Sequence, residues 1–337
     1  HDGQAVTCDD FAGSIADANP GSALAAHLPQ FKRWYAQAGT PRVSAQGYFD
    51  AESGTYALTF NQSCPDTPGQ TDKAPFVIPM AMGLLDASGN ALPVRLQGEA
   101  ADAPTATTRT FVLTEASQTL VFAGLTAPPV PSLLRGFSAP VQLDIELTDA
   151  QLLTLLAHDE DAFNRWEAGQ RLALRTAILL IASNTYQSGD KALNDSYIQA
   201  MRSVLRHPDL DPAFKELALT LPSETYIAEQ LELVDPQRIH AVREAMRENL
   251  ALALFDDWQW AFDAHQTVGG YSPDAVSSGR RALANLALQN LCLAATLRGD
   301  SVWPGKALQR FKDASNMTDR FGAVSALLNA GHPLAQN

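Results

Sequence analysis

Apolar side chains recur along this chain first at a helical period, then at a strand period, then at a helical one again. Before Pro41 the spacing is helical. Phe11 and Ile15 stand four apart, and Phe31, Trp34 and Tyr35 follow at intervals of three and four, which place residues on one helix face. Thr7 with Asp10 reads as a helix start, because a hydroxyl and a carboxylate three apart can satisfy the orphan amides there. Phe11 and Ile15 are then expected on the buried face. Asn19-Pro20-Gly21-Ser22 ends that helix, and a second is predicted from about Pro29 to Ala38. Gly39 suits the left-handed position after a helix and Pro41 prevents continuation. This is read as the exit from one domain into the next.

From Arg42 to Glu146 the period falls to two. Tyr56, Leu58 and Phe60 alternate with smaller residues, and Glu52-Ser53-Gly54 and Ser88-Gly89-Asn90 are turn signals between extended runs. Strands are predicted at Phe76–Leu85, Thr107–Thr114, Thr119–Phe122 and Val141–Leu147. Many short strands with frequent Pro and Gly, and no helix between them, point to a small antiparallel sandwich of immunoglobulin-like type.

After Leu147 the pattern is helical almost throughout. Thr148-Asp149-Ala150-Gln151 matches a capping box, and Leu152, Leu153, Leu155 and Leu156 follow it. A long helix is predicted from Asp161 to about Asn184, with Phe163, Trp166, Leu172, Leu174 and Ile178 mainly on one side. Further helices are expected at Lys191–Arg206, Asp211–Leu219, Ser223–Leu231, Pro236–Ala264, Pro273–Leu297, Pro304–Ala314 and Thr318–Leu328. Short connections make consecutive helices antiparallel neighbours, packed as layered pairs in a superhelix. No tetratricopeptide, ankyrin or leucine-rich signature recurs at a fixed period.

Composition narrows the function. A chain of 337 residues exceeds what one core usually holds, and 46% hydrophobic against 18% charged residues describes a well-buried globular protein. The longest apolar run, Ala177 to Ala182, is too short to span a bilayer, and no signal or transit peptide is legible at the start. The net charge of −13 argues against nucleic acid. Neither half hides a basic domain: residues 1–145 carry 7 Lys and Arg against 13 Asp and Glu, and residues 146–337 carry 17 against 24. Cys8, Cys64 and Cys292 are odd in number and far apart, which is neither a disulfide framework nor a zinc knuckle and suits a reducing cytoplasm.

Candidate chemistry is sparse. His240 and Glu244 are four apart and would share a helix face as two metal ligands could. Two ligands leave most of a coordination sphere empty, and a surface pair near Arg243 and Arg247 is the favoured reading. His158-Asp159-Glu160-Asp161 sets an imidazole beside three carboxylates; the favoured reading is that Asp161 caps the following helix, with a weak cation site as the alternative. His207 before Pro208 reads as a cation at a helix end. Trp258 and Trp260, with Phe255 and Phe262, are read as core rather than as a stacking platform, and His265 nearby has no nameable partner. Cys64 has no basic neighbour in sequence to activate its thiol. The sequons at Asn61, Asn194 and Asn316 mean little in a cytoplasmic protein. No Gly-rich phosphate loop occurs. No catalytic, cofactor-binding or metal residue is therefore assigned.

Several strings are long enough to be specific. Asp2-Gly3-Gln4-Ala5-Val6-Thr7-Cys8-Asp9-Asp10-Phe11, Arg33-Trp34-Tyr35 and Gly39-Thr40-Pro41 resemble the end of the peptidase domain in the aminopeptidase N family of bacterial zinc alanyl aminopeptidases. Pro129-Val130-Pro131-Ser132-Leu133-Leu134 with Phe137-Ser138-Ala139-Pro140-Val141 is similar to the end of that family's sandwich. Asp161-Ala162-Phe163-Asn164-Arg165-Trp166-Glu167-Ala168-Gly169-Gln170 resembles its first long helix, and Ala314-Ser315-Asn316-Met317-Thr318-Asp319 a string within its helical domain. The resemblance implies three regions: residues 1–40, the last helices of an otherwise absent peptidase domain; 41–147, the immunoglobulin-like sandwich; and 148–337, a truncated helical domain. It implies a metallopeptidase that removes N-terminal residues from peptides, with zinc held by H-E-x-x-H plus a distal Glu, and Gly-x-Met-Glu-Asn holding the substrate's amine.

Neither motif occurs in these residues, so no catalytic position carries over, no cofactor is expected within the chain, and the chain alone is expected to be inactive. Its partners would be the missing peptidase and N-terminal domains of the same polypeptide and, through them, peptides. The sandwich would act as a spacer and the helical domain as a screen that limits substrate size. The alternatives are a stand-alone interaction scaffold and, more weakly, a carbohydrate binder with aromatics on one sandwich face. Residues 1–40 are expected to leave Phe11, Trp34 and Tyr35 partly exposed and to promote self-association, so that deleting them improves behaviour.

Overall fold

A computed structural model describes residues 3–100, 106–183, 191–267 and 269–336. The predicted end near Asn184 and the terminal residues 1, 2 and 337 lie outside the described residues. The chain divides into two compact units, His1–Asn164 and Arg165–Asn337. The order is β then α: a small sandwich followed by a helical array.

The first unit opens with α1 (Cys8–Ala18), started by the predicted box. Thr7 accepts from the Asp10 amide, and Asp10 accepts in return from the Thr7 amide. Its inward stripe differs from the expected one. Ala12 and Ala16 are buried, whereas Phe11 is 61% and Ile15 40% exposed. Periodicity defines the stripes of a helix but not which one docks, and the buried stripe lies one residue along.

After the single turn α2 (Ala23–Ala26), the predicted helix from Pro29 to Ala38 is instead two further single turns, α3 (Leu28–Phe31) and α4 (Arg33–Ala36). Their side chains form a latch on the sandwich. The Trp34 ring sits 4.7 Å from Phe76, and its Nε1 donates to the Val77 carbonyl at 2.9 Å. Gln30 donates to the Thr114 carbonyl, Arg33 to the Pro75 carbonyl, and Gln37 exchanges two bonds with Ala74. These side chains satisfy backbone groups of residues 74–77 and the Thr114 carbonyl. Gly39 has the expected positive φ, +96°.

The sandwich contains β1 (Arg42–Asp50), β2 (Thr55–Ser63), β3 (Ile78–Leu85), β4 (Ala91–Leu92), β5 (Arg109–Leu113), β6 (Ser117–Ala123), β7 (Val130–Leu133) and β8 (Gln142–Ile145). One sheet has the order β6-β2-β1-β8; in the other, β4, β5 and β7 pair with β3. Tyr56, Leu58 and Phe60 face inward as their alternation requires. Phe111 and Phe122 meet edge to face, with centroids 5.8 Å apart, and join the two sheets. One pairing departs from the antiparallel expectation, because β8 runs parallel to β1. Strands β4 and β7 are additions to those the alternation predicts; both are too short to show a period.

Leu134, Gly136 and Phe137 follow β7 with φ of 55°, 62° and 53°. This left-handed turn drives Arg135 into the interior, where it is 6% exposed. Its guanidinium donates to Ser132 Oγ at 2.8 Å, Thr108 Oγ1 at 2.6 Å and Asp159 Oδ1 at 3.0 Å. Gly83 on β3 makes the room, since a Cβ there would lie 2.4 Å from Arg135 Cζ. Asp159 follows α5 (Asp149–His158), which the predicted Thr148–Gln151 box starts. The Asp159 carboxyl is pushed above its usual range by burial, against the bond from the Asp161 amide and the charge of Arg135.

In the second unit are most of α6 (Ala162–Ala182), then α7 (Asp195–Arg206), α8 (Pro212–Leu219), α9 (Glu224–Ala228), α10 (Pro236–Ala253), α11 (Phe255–Ala264), α12 (Ala275–Leu297), α13 (Val302–Asp313) and α14 (Met317–Asn329). The array is built around α12, whose Leu283, Ala284, Ala287, Leu288, Leu291 and Cys292 are fully buried. Small residues let its neighbours close in. Gly279 abuts Ala213 of α8, and Gly322 of α14 lies against the Asn285 amide.

The single helix expected over Pro236–Ala264 is broken at Leu254. The break releases the Ala253 carbonyl, which accepts from Arg202 at 3.0 Å. Leu254 and Trp258, four apart, are both buried in the core.

Two outcomes test this fold. Removing residues 1–21 is expected to leave the sandwich's unfolding midpoint unchanged, while removing 1–40, the truncation favoured by sequence alone, lowers it by exposing Phe76. Trp34→Ala should cost about 2 kcal/mol, below the range for a fully buried Trp; equal midpoints for the two truncations in urea titrations would rule out the latch. Asp159→Ala strands a buried guanidinium and should cost about 3–5 kcal/mol. A loss under about 1 kcal/mol would show that Arg135 does not depend on it.

Candidate functional site

The acidic run after α5 is divided between two structural tasks. Asp161 accepts from the Asn164 amide at 2.9 Å and caps α6, as expected. Asp159 turns inward to Arg135, a role its sequence neighbourhood did not signal. His158 packs over Gly89, whose missing Cβ would lie 2.2 Å from the imidazole Cγ. These residues do not converge on a shared cation position.

The pair His240–Glu244 gains a third member. Glu224, the first residue of α9, reaches α10, and its Oε1 lies 2.8 Å from His240 Nδ1. One ligand atom from each of Glu224, His240 and Glu244 falls within 4.8 Å of the others. Arg247 donates to both oxygens of Glu244, at 2.7 and 2.5 Å. Arg243 donates to the Pro222 carbonyl at 2.8 Å, next to Ser223, the cap of α9. His240 and Glu224 are largely exposed, and Glu244 is half-buried. Sequence reasoning missed Glu224 because 16 residues and a turn separate it from His240.

Among the aromatics, Trp258 is core at 1% exposure, as expected. Trp260 instead carries cations: Arg206 Cζ lies 4.3 Å and Lys215 Nζ 5.8 Å from its ring centroid, within cation–π range. Burial lowers the pKa of Lys215. His265, left without a partner by the sequence, meets the Trp260 ring edge-on at 5.7 Å and donates from Nδ1 to the Ala261 carbonyl. Burial, with the charges of Lys215 and Arg280, holds His265 below its usual value.

A groove of about 550 Å³ in the helical unit is lined by Glu216, Asn285, Gln289, Met317 and Phe321 among others. In the sandwich unit, Tyr48 and Phe137 are the exposed aromatics of the described strands and turns, and Phe137 stacks on Phe163 at 3.8 Å. They form no aromatic platform. Cys64 does acquire a basic neighbour: a Cβ built on Gly39 would meet both its Sγ and Lys73 Nζ at 3.3 Å. Two sequon asparagines are helix caps, Asn194 accepting from the Tyr197 amide and Asn316 from the Asp319 amide.

Residues 149–337 match a family described as a domain of unknown function with ARM repeats, DUF3458_C, and residues 39–146 match its companion DUF3458, with an immunoglobulin-like fold. The chain belongs to this family. It is 36% identical over 333 residues to aminopeptidase N of Escherichia coli, covering 99% of this chain and 36% of that protein. Aminopeptidase N of Caulobacter vibrioides is 37% identical over 331 residues, covering 98% of this chain and 35% of that protein. The chain thus spans about a third of the length of these relatives. Among solved structures, Legionella pneumophila aminopeptidase A in complex with aspartic acid shares the fold, with a TM-score of 0.75 at 24% identity over 97% of this chain and 35% of that one.

The three cysteines are all free thiols. Burial pushes the Cys292 thiol up to about 12, whereas Cys8 is exposed and Cys64 half-buried. A disulfide-exchange reagent is therefore expected to titrate two thiols in the native chain and the third only after denaturation, since the thiolate is the reacting form. Three reactive thiols under native conditions would contradict the packing of α12.

Proposed function

We propose that this chain is the non-catalytic middle and C-terminal part of a zinc-dependent aminopeptidase N, an enzyme that removes single residues from peptide N-termini. The observation that carries this reading is the extent of the match. Nearly the whole chain corresponds to about a third of each relative, yet none of its seven histidines begins an H-E-x-x-H string. The residues present do not fit such a zinc centre, which requires two histidines one helical turn apart. No step of the reaction is therefore derived through residues of this chain.

In this reading residues 41–147 are a spacer, and residues 148–337 belong to a helical screen that limits access to short peptides and shields the reaction from water. Residues 1–40 would close a peptidase domain formed by other parts of the same polypeptide. The exposure of Phe11 and Ile15, one turn apart on α1, supports such a cover, because removing that apolar stripe from water is favourable. Three free thiols suit a reducing cytoplasm.

The ARM-repeat match also favours a second reading, a stand-alone scaffold for a protein partner. An H-E-x-x-H motif upstream in the same reading frame would eliminate it. Turnover of an alanyl chromogenic substrate tests the first reading directly. The isolated chain is expected to show none, with or without added zinc, while the complete polypeptide of the same reading frame is active. Chelator-sensitive turnover by the isolated chain would overturn the assignment.

A further inference from the structure

The geometry points to a binding site for a divalent transition-metal ion of the Zn²⁺ class, formed by Glu224, His240 and Glu244. His240 and Glu244 project from one side of α10 because they are one turn apart, and Glu224 comes to them from α9. The ligand atoms already lie within 4.8 Å of one another, with Glu224 Oε1 and His240 Nδ1 at 2.8 Å. An ion replacing the proton between those two atoms, with bonds of about 2.0–2.2 Å in a tetrahedron, would need them about 3.3 Å apart. That is a side-chain adjustment of roughly half an ångström between two largely exposed groups.

The donor set selects the ion. One imidazole nitrogen and two carboxylates suit Zn²⁺, Co²⁺ or Ni²⁺. Ca²⁺ requires six to eight oxygens and Mg²⁺ a near-ideal octahedron of them, which three side chains on a surface do not supply. Outer hydrogen bonds are already in place on one ligand, since Arg247 grips both oxygens of Glu244, and carboxylate ligands are commonly held this way. The same guanidinium draws on the charge of Glu244, which makes the site moderate rather than tight. Residues 229–235 are the connection between α9 and α10, so a bound ion would staple the two helices together. The site rests on no part of the peptidase reading.

Calorimetric titration of Zn²⁺ into the tag-free 337-residue chain is expected to give one saturable site, with an upward shift in the unfolding temperature that Ca²⁺ and Mg²⁺ do not produce. His240→Ala and Glu224→Gln should each weaken binding at least about 10-fold, in line with the effect of altering a metal's immediate surroundings, and abolish the shift. Both residues are exposed, so circular dichroism of the variants should match the parent. Absence of stoichiometric Zn²⁺ binding would refute the site, as would binding that survives either substitution.

Discussion

The sandwich unit depends on one buried charge. Arg135 can lie inside only because every polar atom it brings finds an acceptor, and because Gly83 leaves its face of β3 empty. A guanidinium without partners in that position would be forbidden by its desolvation cost. The acceptors come from separated parts of the chain: Ser132 on β7, Thr108 before β5 and Asp159 after α5. Asn164 extends the network by donating to Ser132 Oγ and the Leu133 carbonyl, and Asp161 receives the Gly136 amide. Strand β7, the left-handed turn and the start of α6 are thus fixed by a single polar cluster rather than by apolar packing alone. The turn's positive φ values, including those at Leu134 and Phe137, carry a backbone cost that the cluster offsets.

The helical unit solves a different problem with the same logic. Its central helix is rich in Ala and Leu, so neighbouring helices approach closely and leave little space for long side chains. Several cations of this unit end on carbonyls or aromatic faces, while Arg202 and Arg310 pair with Asp257 and Asp319. Arg281, 3% exposed, donates to the Ser272 carbonyl and lies 4.6 Å from the Tyr271 ring centroid. Arg238 reaches the Leu180 and Ser183 carbonyls. The last carbonyls of a helix are orphans that need donors, and Arg238 supplies one at the end of α6. A chain of net charge −13 therefore uses much of its limited basic complement for internal fastening rather than for a surface that would attract an anionic partner.

That allocation bears on function. Polar residues that look like chemistry in the sequence are largely structural in the fold: Asp161, Asn194 and Asn316 cap helices, and Asp159 neutralises Arg135. Features of the described surface include a small triad on α9 and α10, a groove against α12 and α14, and exposed apolar side chains on α1. The chain itself spans only about a third of the length of its relatives.

The sequence by itself determined whatever depends on neighbours a few residues away. Caps at Thr7 and Thr148 are i to i+3 contacts, and the alternation at Tyr56, Leu58 and Phe60 follows from strand geometry, so both are legible from local spacing alone. Family membership is legible too, because long specific strings survive divergence. Only the tertiary structure decided which stripe of α1 faces inward, that residues 28–38 latch onto Phe76 instead of forming one helix, and that β8 joins β1 in parallel. It also decided that Arg135 meets Asp159 across 24 residues and Glu224 meets His240 across 16. Those outcomes turn on long-range packing, in which a side chain's partner is set by where two distant segments converge, and no local period encodes that convergence.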